Sequence, residues 1–163
     1  MIWQFFTMFG DIQFWVGTAL VSLVFLFTVP KQGRKHISWF IFLVLPAVII
    51  GYMISYGLKV LFKVPRPCAG LPFCPTTYSF PSGHATVIFA AMTVLAFHYK
   101  NKSLGMFLFI FGVLVVLSRL MMGVHNIEDV FVGSLIGIII GVLVQKANKN
   151  YQKEIKEIVS ELK

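Results

Sequence analysis

Apolar runs dominate this sequence and restrict what it can fold into. The chain is 58% hydrophobic and only 12% charged, whereas soluble domains carry about 25% charged residues. A bilayer core is crossed by a helix of about 20 apolar residues, which satisfies its own backbone hydrogen bonds. The sequence therefore predicts an all-α integral membrane bundle with about five transmembrane helices, formed by the apolar runs at residues 12–29, 37–58, 85–99, 104–117 and 130–144.

Basic residues are concentrated on one side of this five-helix arrangement. Only four lie on the other side: Lys59, Lys63, Arg66 and Arg119. Because loops rich in Lys and Arg stay in the cytoplasm, we expect the N-terminus outside and the C-terminus in the cytoplasm. The same placement accounts for the net charge of +8, so we expect no nucleic-acid partner.

The fifth run and its continuation carry two packing patterns. Gly133, Gly137 and Gly141 recur at every fourth position, which allows membrane helices to approach closely. Beyond them an apolar stripe runs between Lys and Glu residues and consists of Tyr151, Ile155, Ile158, Val159 and Leu162. We therefore expect a transmembrane domain at residues 1–146 and a cytoplasmic amphipathic helix at residues 147–163, which lies on the membrane or packs on a partner.

Three polar clusters fall at the outer ends of the predicted helices. Ionisable groups are costly there and indicate function. The clusters contain Lys59 and Arg66; Ser82, Gly83 and His84; and Arg119, His125 and Asp129. Three cations favour an anion with several oxygens, most simply a phosphate, because Arg binds it through two N–H groups and Lys as a point charge. Ser82 and Gly83 add the N–H groups of a helix N-terminus.

The other residues of these clusters suit acid–base and nucleophilic chemistry. His125 and Asp129 are four positions apart, so on a helix the carboxylate holds one ring nitrogen and leaves the other as a nucleophile. His84 is a second imidazole, suited to protonating a leaving oxygen. The set predicts a phosphoryl-transfer site without a metal.

Other interpretations of these residues explain less of the pattern. Taken singly, each histidine also fits an ordinary polar residue at a helix end. A zinc site needs only three ligands, which His84, His125 and Asp129 would supply, but three neighbouring cations oppose a divalent metal. Paired histidines also suit haem, which explains neither the arginines nor Asp129.

The three clusters resemble the signature motifs of the type 2 phosphatidic acid phosphatase (PAP2) superfamily. They match in order and spacing: Lys59-x6-Arg66-Pro67, Pro81-Ser82-Gly83-His84 and Ser118-Arg119-x5-His125-x3-Asp129. The resemblance covers roughly residues 59–141. It implies that His125 attacks phosphorus to form a phosphohistidine, that Asp129 positions it, and that His84 protonates the leaving group. It implies phosphate binding without a cofactor by Lys59, Arg66, Ser82, Gly83 and Arg119.

The resemblance also implies a phosphorylated membrane lipid as substrate, at a site facing the periplasm or outside in a multi-pass protein of the bacterial cytoplasmic (inner) membrane. Small size and that orientation favour the bacterial lipid A 1-phosphatase branch, with undecaprenyl pyrophosphate and phosphatidylglycerol phosphate as alternatives. Transfer of the phosphoryl group to another lipid remains open, as does a sixth span, since many bacterial members have six. The competing class is a non-enzymatic anionic-lipid binder or carrier, which needs the cations but not the His125–Asp129 pair.

Two cysteines flank a short segment of the outer connection. Cys68 and Cys74 both follow Arg66 closely in sequence. If this side is periplasmic, a disulfide is favoured and stiffens the loop that carries Arg66. Two free thiols are the alternative, because spacing alone does not bring the α carbons within bonding range.

Overall fold

A computed structural model describes residues 2–30, 34 and 37–161, without the side chains of Phe27 and Glu161. The described residues form helices and no strands, as the sequence predicts. In chain order the helices are α1 (Ile2–Met8), α2 (Ile12–Thr28), α3 (Ile37–Phe62), α4 (Gly83–Tyr99), α5 (Lys102–Met121) and α6 (Ile127–Glu161). The predicted turn residues 31–33, 35 and 36 and the tail residues 162 and 163 lie outside the described part.

Three of these helices, α3, α5 and α6, are long and apolar enough to cross a membrane. Helices α1 and α2 meet at an angle of 57° and together pass as one broken span. Helix α4 is apolar but has 17 residues. The described residues thus form a multi-pass membrane bundle with three or four full-length spans, and the predicted count of five is not confirmed.

Helix α4 lies at the centre of the bundle and packs against α3, α5 and α6. Its residues 85–92 are all buried. A Cβ at Gly133 of α6 would collide with the carbonyl of Ser82, the N-cap of α4, and a Cβ at Gly137 would collide with the carbonyl of Thr86 in α4. A Cβ at Gly141 would lie 2.6 Å from the Thr93 Cβ. The glycine pattern therefore marks the face on which α6 meets α4, as predicted.

Helix α3 carries a buried stripe towards the polar end of the bundle. The stripe includes Val48, Gly51, Ser55 and Lys59, whose spacing of three to four residues keeps them on one helical face. Helix α3 also contains a π-helical turn at Phe40–Val44. This turn lies just before Pro46, which lacks the N–H that a regular turn requires. The stripe brings the Lys59 amine to the end where α4 begins.

Helix α6 continues without a break through the boundary predicted at residue 146. Its 35 residues correspond to a length of about 52 Å, whereas a bilayer core is about 30 Å thick. Residues 151–160 are exposed along the whole segment. The tail is therefore helical and continues the helix of the last span through residue 161, while the division into a membrane domain and a cytoplasmic tail stays a prediction.

Candidate active site

The three motifs converge on one cavity of about 520 Å³ at the end of the bundle where α4 and α6 begin. Most of the predicted site residues line it: Lys59, Arg66, Gly83, His84, Arg119 and His125. Ser82 and Asp129 are buried behind this lining. The bend between α1 and α2 closes one side through Gly10 and Asp11.

His125 lies just before α6 and is not part of a helix. The spacing of four residues would place His125 and Asp129 on one face only if both were helical, and His125 is not. Instead, Asp129 in the first turn of α6 reaches back, and its Oδ2 lies 3.3 Å from His125 Nδ1. The same oxygen accepts the Asn126 backbone N–H at 2.9 Å. Both side chains are almost fully buried. The contact with the carboxylate therefore fixes the orientation of the imidazole ring.

Arg66 determines which nitrogen of His125 carries the proton. Its Nη1 lies 3.1 Å from His125 Nε2, and a guanidinium only donates. Nε2 must therefore accept, which assigns the ring proton to Nδ1 on the Asp129 side. Burial, followed by the charges of Arg66, Lys59 and Arg119, lowers the pKa of His125 from 6.5 to about 4 against the opposing bond to Asp129. At neutral pH the ring is uncharged and Nε2 keeps its lone pair.

The guanidinium of Arg66 ties two segments of the site together. Its Nε donates to the Thr77 carbonyl at 2.7 Å and its Nη2 to Thr77 Oγ1 at 2.9 Å. Its Nη1 also donates to the Val124 carbonyl at 2.9 Å. Burial lowers the pKa of Arg66, yet arginine stays protonated in proteins. A disulfide between Cys68 and Cys74 closes the connection between Arg66 and Thr77.

The other two cations leave donors for an anion. Lys59 Nζ donates to the Tyr78 and Ser79 carbonyls at 2.7 and 2.8 Å, so one of its three N–H groups remains. Arg119 Nη1 bonds Thr7 Oγ1. The buried Arg119 Nε has no hydrogen-bond partner among the described residues. A buried unpaired donor costs about 1–3 kcal/mol, and a phosphoryl oxygen in the cavity would relieve that cost.

The start of α4 adds backbone donors. The Ser82 side chain caps the helix by accepting the Ala85 N–H, and the Ser82 N–H donates to the Asp129 carbonyl at 2.8 Å. Ser82 is fully buried and is not part of the cavity lining, so it joins α4 to α6. Gly83 and His84 begin the helix and have no intrahelical acceptor for their N–H groups. Direct contact with phosphate stays a prediction for both residues. The cavity lining supports it for Gly83, whereas Ser82 lies behind that lining.

Sequence reasoning missed two residues that touch the histidines. Ser79 Oγ donates to Asp129 Oδ2 and lies 3.2 Å from His125 Nδ1. Asp11 Oδ1 lies 2.9 Å from His84 Nε2. Ser79 had no signal, because it stands in an irregular Pro-rich segment. Asp11 had one: it is the only acidic residue before Glu128, and isolated ionisable groups in apolar segments indicate function.

The donor set is basic and not suited to a cation. Within the described residues, no group of three or more His, Cys, Asp or Glu side chains is arranged to hold a metal ion. His84 and His125 are each bonded to a different carboxylate, Asp11 and Asp129. The arrangement suits a polyanion beside a neutral imidazole, at one end of a helical membrane bundle.

Comparison with known proteins assigns the family. Residues 40–153 match the model of the PAP2 superfamily, and the chain belongs to this family. The match includes every predicted site residue, whereas Thr7 and Asp11 lie outside it.

Sequence relatives and solved structures agree with this assignment. The undecaprenyl-diphosphatase BcrC of Bacillus subtilis is 31% identical over 134 residues, covering 78% of this chain and 66% of that protein. The undecaprenyl-diphosphatase of Sulfolobus acidocaldarius is 30% identical over 135 residues, covering 82% and 63%. The chain therefore spans just under two thirds of the length of these relatives.

Two crystal structures are similar in fold. LpxE of Aquifex aeolicus has a TM-score of 0.66 and 32% identity, covering 89% of this chain and 84% of that one. A transmembrane PAP2-type phosphatidylglycerolphosphate phosphatase of Bacillus subtilis has a TM-score of 0.76 over 91% of this chain and 76% of that one. Its identity is 22%, so this second likeness concerns the fold alone.

Proposed function

We propose that this protein is a metal-independent lipid phosphatase that works through a phosphohistidine intermediate. One observation carries the proposal: His125, Lys59, Arg66 and Arg119 line one cavity, where His125 Nε2 accepts from Arg66 while Asp129 holds the opposite ring nitrogen. A nucleophile needs the lone pair of Nε2, and a phosphoryl group needs the positive charge. A simple anion binder needs only the charge.

The proposed reaction has two steps, each with balanced bonds and protons. In the first, His125 Nε2 forms a bond to phosphorus as the bond to the leaving oxygen breaks, and His84 protonates that oxygen. In the second, a water oxygen attacks the phosphohistidine while His84 takes a proton from the water. The electrons of the phosphorus–nitrogen bond return to Nε2 and phosphate leaves. Lys59, Arg66 and Arg119 stabilise the charge on the phosphoryl oxygens in both transition states.

The walls of the cavity support an amphiphilic substrate. Beside the charged end stand Ile12 of α2, Tyr52 and Tyr56 of α3, and Phe73 of the outer connection. Moving lipid tails through water is costly, so the proposed entry is from the bilayer, between α2 and α3. With the predicted orientation, the phosphate is removed at the outer leaflet of the cytoplasmic membrane.

Among lipid phosphates, we place undecaprenyl diphosphate first. Two relatives with matches over about four fifths of this chain are named undecaprenyl-diphosphatases. Lipid A 1-phosphate, which the motif resemblance favoured, and phosphatidylglycerol phosphate are the other candidates. A phosphotransferase would use the same phosphohistidine with a lipid or sugar hydroxyl in place of water.

The test is release of inorganic phosphate by the purified protein from undecaprenyl diphosphate, lipid A, phosphatidylglycerol phosphate and phosphatidic acid. We expect release in excess chelator, inhibition by vanadate, and the highest kcat/KM for undecaprenyl diphosphate. His125→Ala should abolish release. His98→Gln is the matched control, because His98 lies near the other end of α4, where its ring contacts that of Trp39.

Specific outcomes contradict the proposal. Full turnover by His125→Ala would exclude the nucleophile, and loss of activity in chelator with recovery in zinc would favour a metal enzyme. Tight binding of these lipids without phosphate release, unaffected by vanadate, would favour the carrier class. Phosphate appearing on an added lipid in place of free phosphate would favour transfer.

A further inference from the structure

The bend between α1 and α2 brings a carboxylate to the proposed acid. Asp11 Oδ1 lies 2.9 Å from His84 Nε2. Asp11 stands at the N-cap of α2, yet its side chain makes no capping hydrogen bond there. An N-cap Asp ordinarily accepts from N–H groups of its own helix. Here the carboxylate is directed to His84 instead.

Neighbouring contacts fix the bend against His84 and α5. A Cβ at Gly10 would lie 2.7 Å from His84 Cβ and 2.8 Å from His84 Cδ2, so only glycine permits this approach. Trp15 Nε1 donates to the Phe9 carbonyl at 2.9 Å. These contacts, together with the Thr7–Arg119 bond, hold the bend in place beside the His84 ring.

The two histidines of the cavity therefore have different charged surroundings. His125 faces Arg66, Lys59 and Arg119, and among the described residues Asp129 is the carboxylate that contacts it. His84 faces the carboxylate of Asp11, with Arg119 and Arg66 as the nearby cations. A carboxylate bonded to a ring nitrogen favours the protonated imidazole, whereas burial and cations oppose it. Paired groups in unequal environments divide acid and base roles between them.

We propose that Asp11 is a positioning residue, which orients His84 and stabilises its protonated form for transfer to the leaving oxygen. The inference rests on the proposed function. In the first step His84 gives one N–H proton to the leaving oxygen and becomes neutral, while Asp11 stays ionised. In the second step His84 takes a proton from the attacking water and again becomes the cation that Asp11 stabilises.

The test compares two leaving groups in the full-length protein. Dodecyl phosphate loses an alkoxide, which needs a proton, whereas p-nitrophenyl phosphate loses a stable phenolate. A general acid accelerates a reaction about 10²–10⁴-fold. Removing only the carboxylate that supports the acid should lower kcat by less than this factor. For Asp11→Asn we expect kcat on dodecyl phosphate to fall about 10- to 100-fold, with KM nearly unchanged and little loss on p-nitrophenyl phosphate.

The pH profile separates this role from a structural one. Without the carboxylate, protonated His84 loses its proton more easily, so the alkaline limb of kcat should move to lower pH in Asp11→Asn. Asp11→Glu keeps the charge and should restore part of the rate. Glu128→Gln removes the same charge from an exposed position beside the site and should change neither the rate nor the limb.

Some results would overturn the proposal. Equal losses on both substrates, or an unmoved alkaline limb, would limit Asp11 to a structural role. Nitrogen-15 NMR of the four histidines, with His84→Gln for assignment, gives a readout without turnover. The His84 titration should move to lower pH in Asp11→Asn, and an unmoved titration contradicts the contact. If the wild type hydrolyses no phosphate, the proposed function fails, while this titration still decides the Asp11 contact.

Discussion

Arg66 Nη1 and His125 Nε2 lie 3.1 Å apart, so the residue that fixes the tautomer of the nucleophile also occupies its reactive lone pair. A phosphoryl group entering the cavity must take the place of this contact. The same guanidinium already bonds Thr77 and the Val124 carbonyl. Its remaining anchors keep Arg66 beside phosphorus after the exchange, where it can bind an equatorial oxygen.

Arg66→Lys keeps the positive charge, but it should still lower kcat strongly. A lysine amine cannot reproduce the planar fork that bonds Thr77, Val124 and the substrate together. We expect a loss of roughly 10²- to 10³-fold, as for removal of one charge-stabilising donor. Steady-state kinetics in detergent check this. Lys63→Ala, which removes an exposed cation of the same segment, should leave kcat unchanged.

Ser79→Ala should slow the reaction through the orientation of His125. The hydroxyl donates to Asp129 Oδ2 and touches His125 Nδ1, so its loss leaves the carboxylate with one fewer donor. We expect kcat to fall roughly 10- to 100-fold, since a bond to a charged group contributes about 1.5–3 kcal/mol, with little change in KM. Thr76→Ala, an exposed hydroxyl of the same connection, is the control. An unchanged kcat in Ser79→Ala would contradict this role.

The pH dependence should show an acid limb near pH 4. The pKa of His125 is lowered to about 4, so its lone pair is available above that pH and lost below it. We expect kcat/KM to fall as the pH drops through about 4, and an acid limb near pH 6.5 in the wild type would contradict the burial and charge argument. In Arg66→Ala one opposing cation is gone, and the limb should move towards pH 6.5.

The same shift predicts how stability depends on pH. The ordinary pKa of histidine is 6.5, and the unfolded chain takes up this proton at a higher pH than folded His125 does. The free energy of unfolding should therefore decrease as the pH falls from 6.5 towards 4. Above pH 6.5, His125 should make no pH-dependent contribution. Thermal unfolding in detergent measures this, with His125→Gln as the variant that should lose the dependence.

The sequence predicts a feature of this molecule well when the residues that form it are close together in the chain. Helix extents follow from local apolar runs: residues 12–29 were predicted for α2 (Ile12–Thr28). The glycine face of α6 follows from its four-residue period. The Ser79–Asp129 and Asp11–His84 contacts join residues far apart in the chain, and no local pattern encodes them. The tautomer of His125 likewise depends on Arg66, 59 positions away.

The glycine face should separate packing from catalysis. A Cβ at Gly133 would lie 2.5 Å from the Ser82 carbonyl, where α4 and α6 hold Asp129, whereas one at Gly141 would meet Thr93 farther from the site. Overpacking costs about 1–3 kcal/mol, so both alanine variants should lower Tm in detergent. Only Gly133→Ala should also lower kcat, because it displaces the α6 start that orients His125. Gly57→Ala, with no atom within 4 Å of its Cβ, should change neither, and equal kcat for Gly133→Ala and Gly141→Ala would contradict the separation.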